Sequence, residues 1–261
     1  MPVNAEAEPG EDARTEVDPD AAGLPVNELF CSLQGEGKLA GVPSVFVRTS
    51  GCNLRCWFCD SYHTSWEPTH AWMGIEAIVD EVTSHDRAEH VVITGGEPLI
   101  HEDVVTLVDT LGDQGYHVTV ETNGTVHRDA AIDLASISPK LASSTPTPAR
   151  DPKGDGEWRE RHEARRIDLD ALARLVEDYP TQLKFVVTDP SDLDEITDLV
   201  DRVRERTSAR IRNGDVLLMP EGRTEAEITG NRGTVADLAM EHGYRYTPRL
   251  HVNLWNDEAG R

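Results

Sequence analysis

The stretch Ser44-Val45-Phe46-Val47-Arg48-Thr49-Ser50-Gly51-Cys52-Asn53-Leu54-Arg55-Cys56-Trp57-Phe58-Cys59-Asp60 carries the strongest signal in the chain. Residues 44–49 are of strand length and rich in Val and Phe, which predicts a β-strand ending just before a loop. Cys52, Cys56 and Cys59 follow at C-x3-C-x2-C spacing. A loop this short can wrap three thiolates around one compact metal centre, and soft thiolates select iron-sulfur clusters, zinc or copper(I). A disulfide framework is disfavoured, because three cysteines this close cannot all pair with one another. Structural zinc would need a fourth ligand such as His63 or Cys31, and a ferredoxin-type cluster would need a fourth thiolate. Three cysteines alone describe instead a 4Fe-4S cluster with one exchangeable iron, which a small molecule can chelate. Cys31 is read as a small buried residue, and Trp57 and Phe58 as apolar cover for the centre or as core.

Outward from this loop, apolar runs of strand length alternate with helical periods, the pattern of an α/β fold with a largely parallel sheet. Ile75, Ile78, Val79 and Val82 fall on one helical face, as do Val104, Leu107, Val108 and Leu111. Strands are predicted over 90–94, 116–121, 134–138, 183–188 and 216–219. Helices carrying Leu169, Leu172 and Val176, then Leu193, Ile196, Val200 and Val203, lie between the later ones. Residues 142–166 are rich in Pro, Gly and charge and read as a long surface excursion, with Trp158 suggesting partial packing. The suggestive residues cluster at carboxyl ends of predicted strands, where barrels and open α/β sheets gather their sites.

The 261 residues suit one catalytic domain, expected over 25–261. Residues 1–24 form an acidic segment too poor in apolar surface to order itself, and are expected to be disordered. It lacks the basic start and apolar core of a secretory signal, and no run reaches the length of a membrane span, so a cytoplasmic protein is expected. Forty-eight acidic against twenty-five basic residues give a net charge of −23, a field that repels nucleic acid and anionic membranes. The lysines number four, and the acids are spread along the chain, as in proteins of salt-loading halophiles.

Thr94-Gly95-Gly96-Glu97-Pro98 follows the second predicted strand, and its glycines would let a ligand approach bare backbone. Together with the cysteine loop, this segment resembles the radical S-adenosylmethionine superfamily. The resemblance implies that the cofactor binds the open iron and is cleaved to a 5'-deoxyadenosyl radical, with Gly96 and Glu97 near its methionine amino group. Further segments narrow the family: Glu28-Leu29-Phe30, Ser32-Leu33-Gln34-Gly35-Glu36-Gly37, Val45-Phe46-Val47-Arg48, Cys59-Asp60-Ser61, Glu121-Thr122-Asn123-Gly124, Ser138-Pro139-Lys140, and the closing Leu250-His251 with Trp255. They resemble 7-carboxy-7-deazaguanine synthase, a family that contracts the ring of 6-carboxy-5,6,7,8-tetrahydropterin with loss of ammonia. Its product is the 7-deazaguanine skeleton of modified tRNA bases, and its fold is a partial TIM-like barrel.

By that resemblance, Leu33, Gln34 and Gly35 bind the pterin, Arg48 grips its carboxylate, and Thr94 and His251 touch the substrate. Phe58, Cys59, Asp60, Gly96, Glu97, Glu121, Asn123, Ser138, Pro139 and Lys140 hold the cofactor, and Ser61 is a ligand of Mg2+. No protein acid or base is assigned. A guanidinium matches a carboxylate with two parallel bonds, and an amide suits a pterin edge. Ser61 stands where the family usually has threonine, and Met219 where it usually has glutamine. His251 is read in a closing strand, with a core role as the alternative. The resemblance also implies a flavodoxin- or ferredoxin-type electron donor and a homodimer. The rival readings are another radical enzyme, such as a glycyl-radical activase, and a non-enzymatic zinc or electron-transfer module.

Overall fold

The computed structural model describes residues 22–154, 156–256 and 258. Among these, nine strands form one sheet: β1 (Gly23–Leu33), β2 (Pro43–Thr49), β3 (Ala71–Gly74), β4 (His90–Gly95), β5 (His117–Thr122), β6 (Leu134–Ile137), β7 (Thr181–Val187), β8 (Val216–Pro220) and β9 (Arg245–Tyr246). Their order is β3-β1-β2-β4-β5-β6-β7-β8-β9, parallel from β2 to β9, with β1 antiparallel to both β2 and β3. The sheet is therefore open and mixed, a partial barrel. The helices are α1 (Tyr62–Ser65), α2 (Ile75–Thr83), α3 (Val104–Asp113), α4 (Arg159–Arg165), α5 (Leu169–Asp178), α6 (Asp192–Arg206), α7 (Glu225–His242) and α8 (Leu250–Trp255).

Side-chain alternation along the strands divides the sheet into two faces. Val45, Val47, Val91, Ile93, Val118, Val120, Leu183, Phe185 and Leu218 join the core beneath the helices. The alternate positions, Arg48, Thr94, Glu121, Lys184 and Met219, therefore share the opposite, inner face. The amphipathic stripes of α2, α3 and α6 bury the apolar residues their spacing predicts.

Several expectations are corrected. His251 lies in α8, not in a strand: the two-residue apolar alternation of Leu250, Val252 and Leu254 imitates a strand, yet Val252 is buried while Leu254 is 52% exposed. Cys31 is exposed, because β3 pairs with β1 only over residues 23–26 and leaves the later part of β1 on an open sheet edge. The expected tail lies outside the described residues up to Ala21, but Gly23 and Leu24 open β1, and Leu24 is fully buried. The eighteen-residue α7 escapes periodicity because only Ile228, Val235 and Ala239 of it are buried. Its ends are nonetheless written locally: Thr224 and Glu227 form a capping box, and Gly243 closes the helix at φ +65°. Among the described residues no helix is long and apolar enough to cross a membrane.

Candidate active site

β2 and β4 run parallel and side by side, with Arg48 in register with Thr94 and Thr49 with Gly95, so the cysteine loop and the glycine turn leave the sheet together. Gly95 adopts φ +141°, and a Cβ there would lie 2.1 Å from the Thr49 carbonyl oxygen. A Cβ on Gly96 would lie 2.1 Å from the Gly51 carbonyl oxygen and 2.8 Å from that of Thr64. The Gly96 N–H donates to Thr49 O at 3.2 Å and the Glu97 N–H to Gly51 O at 2.9 Å. The space that side chains would take is thus filled by protein backbone, and the glycines are required to bring two strand ends together.

Cys52, Cys56 and Cys59 are free thiols held in one loop, with Cys56 buried. The Leu54 N–H points at Cys52 Sγ (3.4 Å), and the Ser65 hydroxyl donates to Cys59 Sγ at 3.2 Å. Burial pushes Cys52 and Cys56 up to about 12, and the charges of Cys56 and Cys59 add to the rise at Cys52. Iron coordination supplies the positive charge that reverses this penalty. Among the described residues no three His, Cys, Asp or Glu side chains converge to hold a single metal ion. Three cysteines in one loop, two of them accepting hydrogen bonds at sulfur, are a soft donor set of the kind that binds iron-sulfur clusters.

Glu97 is fully buried, and its carboxylate accepts from Leu99 N–H (3.1 Å), Thr122 Oγ1 (2.8 Å) and Asn123 N–H (2.6 Å). Burial pushes it up to about 7 against those donors. Asn123 is likewise tied to protein, donating to Asn53 Oδ1 at 2.9 Å and accepting from Thr125. Both side chains therefore brace the turns after β4 and β5. The Lys140 ammonium donates to Ser138 Oγ at 2.7 Å and lowers the pKa of Cys56 and Cys59, which places its charge beside the cysteine loop.

The loop after β1 folds across the inner face. Gln34 Nε2 donates to Glu121 Oε1 (3.3 Å), and Lys38 N–H to Gln182 Oε1 (2.7 Å). Lys184 Nζ bridges Glu36 (2.7 Å) and Glu121 (2.9 Å), Arg249 Nε meets Glu36 Oε1 at 3.0 Å, and the Arg249 guanidinium reaches the Asp60 carboxylate. Burial would raise the Glu36 pKa, but Lys184, Arg249 and His251 outweigh it and hold the carboxyl well below the usual range. Arg48 lies between Glu28 (Nε to Oε2, 3.2 Å) and Ser61 (Nη1 to Oγ, 2.9 Å). His251 packs so close to Gly35 that a Cβ on Gly35 would lie 1.9 Å from the ring Nδ1. Gln34, Gly35, Arg48, Glu121, Asp60, Ser61 and His251 are thus joined by one run of contacts, with Thr94 in register beside Arg48. Glu36, Lys184 and Arg249 are the residues that pattern reading misses. A charged Lys184 between buried Leu183 and Phe185 is the one local clue to them.

Residues 46–141 match the Radical SAM superfamily. A 7-carboxy-7-deazaguanine synthase of Halobacterium salinarum is 70% identical over 238 residues, covering 91% of this chain and 93% of the relative. The chain belongs to the 7-carboxy-7-deazaguanine synthase family. A second synthase of this family, from Rhodopirellula baltica, is 38% identical over 261 residues, 100% of this chain and 96% of the relative. The crystal structure of QueE from Escherichia coli shares the fold with a TM-score of 0.64 at 25% identity, covering 88% of this chain and 95% of that one. As a radical S-adenosylmethionine member of the synthase family, the protein uses a 4Fe-4S cluster and S-adenosylmethionine. Cys52, Cys56 and Cys59 all lie inside the span matched by that superfamily.

Proposed function

We propose that the protein contracts the ring of 6-carboxy-5,6,7,8-tetrahydropterin to 7-carboxy-7-deazaguanine with loss of ammonia. The observation that carries this reading is the loop holding Gln34, Gly35 and Glu36, folded across the same inner face that presents Arg48, Thr94 and Glu121. It sets an amide, two carboxylates and a guanidinium together on one face of the sheet, which suits a flat heterocycle with a carboxylate at one end. When bound, the cluster and S-adenosylmethionine would supply the hydrogen-abstracting chemistry. Arg48 and Ser61 lie within one hydrogen bond of each other, so both can meet a single carboxylate. The Ser61 hydroxyl, beside the Asp60 carboxylate, offers hard oxygen donors to Mg2+, which would complete its shell with substrate and water.

Lys184 and Arg249 tie Glu36, Glu121 and Asp60 together and offset two of their three negative charges. Leu33, Ser138, Pro139, Lys140 and the Phe58 to Asp60 backbone complete the assigned contacts. A flavodoxin- or ferredoxin-type electron donor, a homodimeric assembly and a cytoplasmic setting belong to the same proposal and rest on the family resemblance and the sequence composition. The test is anaerobic incubation of the reconstituted protein with the tetrahydropterin, S-adenosylmethionine, Mg2+ and reductant. Mass spectrometry is expected to find the deazapurine acid with S-adenosylmethionine regenerated. An intact cluster that yields no such product rejects the reading.

A further inference from the structure

The segment expected to be a surface excursion reaches back to the cysteine loop. Its His162, in α4, is fully buried, and its Nδ1 accepts the Arg55 backbone N–H at 3.1 Å. That nitrogen therefore carries no proton, so Nε2–H donates to Ser144 Oγ at 2.8 Å, and the Ser144 hydroxyl donates onward to Leu141 O at 2.6 Å. On the other side of Cys56, the Trp57 N–H donates to Ser144 O (3.1 Å) and its indole N–H to Ser143 O (2.7 Å). Two cation–π contacts close the same seam, with Arg55 4.2 Å over Trp158 and Arg150 4.9 Å over Trp57. The residues on either side of Cys56 thus take hydrogen-bond partners from a segment 86 to 107 positions later in the chain.

We propose that residues 141–144 and 158–162, with Arg150, are a clamp that presets the cysteine loop for its cluster, with His162 the positioning residue that fixes the Arg55 amide. The loop between Cys52 and Cys59 has no helix or strand of its own, so the direction in which Cys56 points depends on how the flanking amides are held. The proposal rests on the cluster reading above and adds to it a residue outside every motif of the family resemblance.

The test compares His162→Asn, whose Oδ1 falls where Nδ1 stood and keeps an acceptor for Arg55, with His162→Gln, whose amide falls at Nε2, and with His162→Ala. Each full-length variant is reconstituted anaerobically with limiting iron and sulfide. Iron per chain is then measured, together with the EPR spectrum of the reduced cluster before and after S-adenosylmethionine. His162→Asn is expected to keep iron and line shape near wild type, while His162→Gln and His162→Ala lose at least half the iron and change the spectral response to the cofactor. Apoprotein melting temperatures check that all three variants fold. Equal iron and spectra in all three, or a Gln variant that matches or exceeds the Asn variant, overturns the proposal. A wild-type protein that takes up no cluster overturns the underlying site instead.

Discussion

The Lys184 ammonium lies 2.7 Å from the Glu36 carboxylate and 2.9 Å from that of Glu121, with only 5% of its side chain exposed. Lys184→Met leaves two carboxylates on the inner face with half their compensation. Removing one partner of such a pair costs about 3–5 kcal/mol. Urea unfolding should show a loss of this size, and Glu36→Gln in the same background should recover part of it.

Arg48 bonds Ser61 through one nitrogen and Glu28 through another. A lysine in its place offers a point charge without the planar fork. Arg48→Lys is therefore expected to raise KM for the pterin about tenfold or more, by analogy with the loss of a charge-assisted hydrogen bond, with a smaller effect on kcat. Ser61→Ala should abolish the response of activity to Mg2+, and Ser61→Thr should preserve it.

Gly96→Ala would press a methyl group to 2.1 Å from the Gly51 carbonyl oxygen, a backbone atom that cannot swing aside. The ends of β2 and β4 must then part, displacing the cysteine loop. Iron content after reconstitution should fall to under half the wild-type value, with the far-ultraviolet circular dichroism unchanged.

His90 is buried between Ser44 Oγ (2.6 Å) and Thr119 Oγ1 (2.7 Å), facing His117 and Asp133, and burial lowers its pKa from 6.5 to about 4. Its neutral form is the one the fold accepts. The associated stability is present above pH 6.5 and is lost progressively as pH falls towards 4. At pH 5 the loss relative to pH 8 is about 2 kcal/mol. His90→Asn should narrow the difference between urea midpoints at those two pH values.

A net charge of −23 repels itself across the fold. The Debye length shrinks from about 10 Å at 0.1 M salt to about 3 Å at 1 M. Thermal unfolding in KCl should show Tm rising steadily from 0.1 to 2 M, and a Tm independent of salt would contradict the role assigned to charge.

Much of this molecule was legible locally. The three cysteines and the glycine turn stand out by residue type and spacing, because a chelating loop and a tight strand-end turn are short-range objects, whereas Gln34 and Gly35 were marked only by the family resemblance. The helical stripes of α2, α3 and α6 were equally plain, since one buried face imposes its own period. Where the pattern misled, two periods competed over a few residues, as in α8, or little of the element was buried, as in α7.

The sequence by itself determined the family and the alternation of strands and helices, and it named the three cysteines as candidate ligands. Only the tertiary structure decided that Lys184 and Arg249 complete the inner wall, that Glu97 braces a turn, and that His162 holds the Arg55 amide. The physical reason is distance along the chain: these bonds join residues from about 25 to more than 200 positions apart. No local propensity encodes a partner that arrives only when the sheet has curved and its layers have packed.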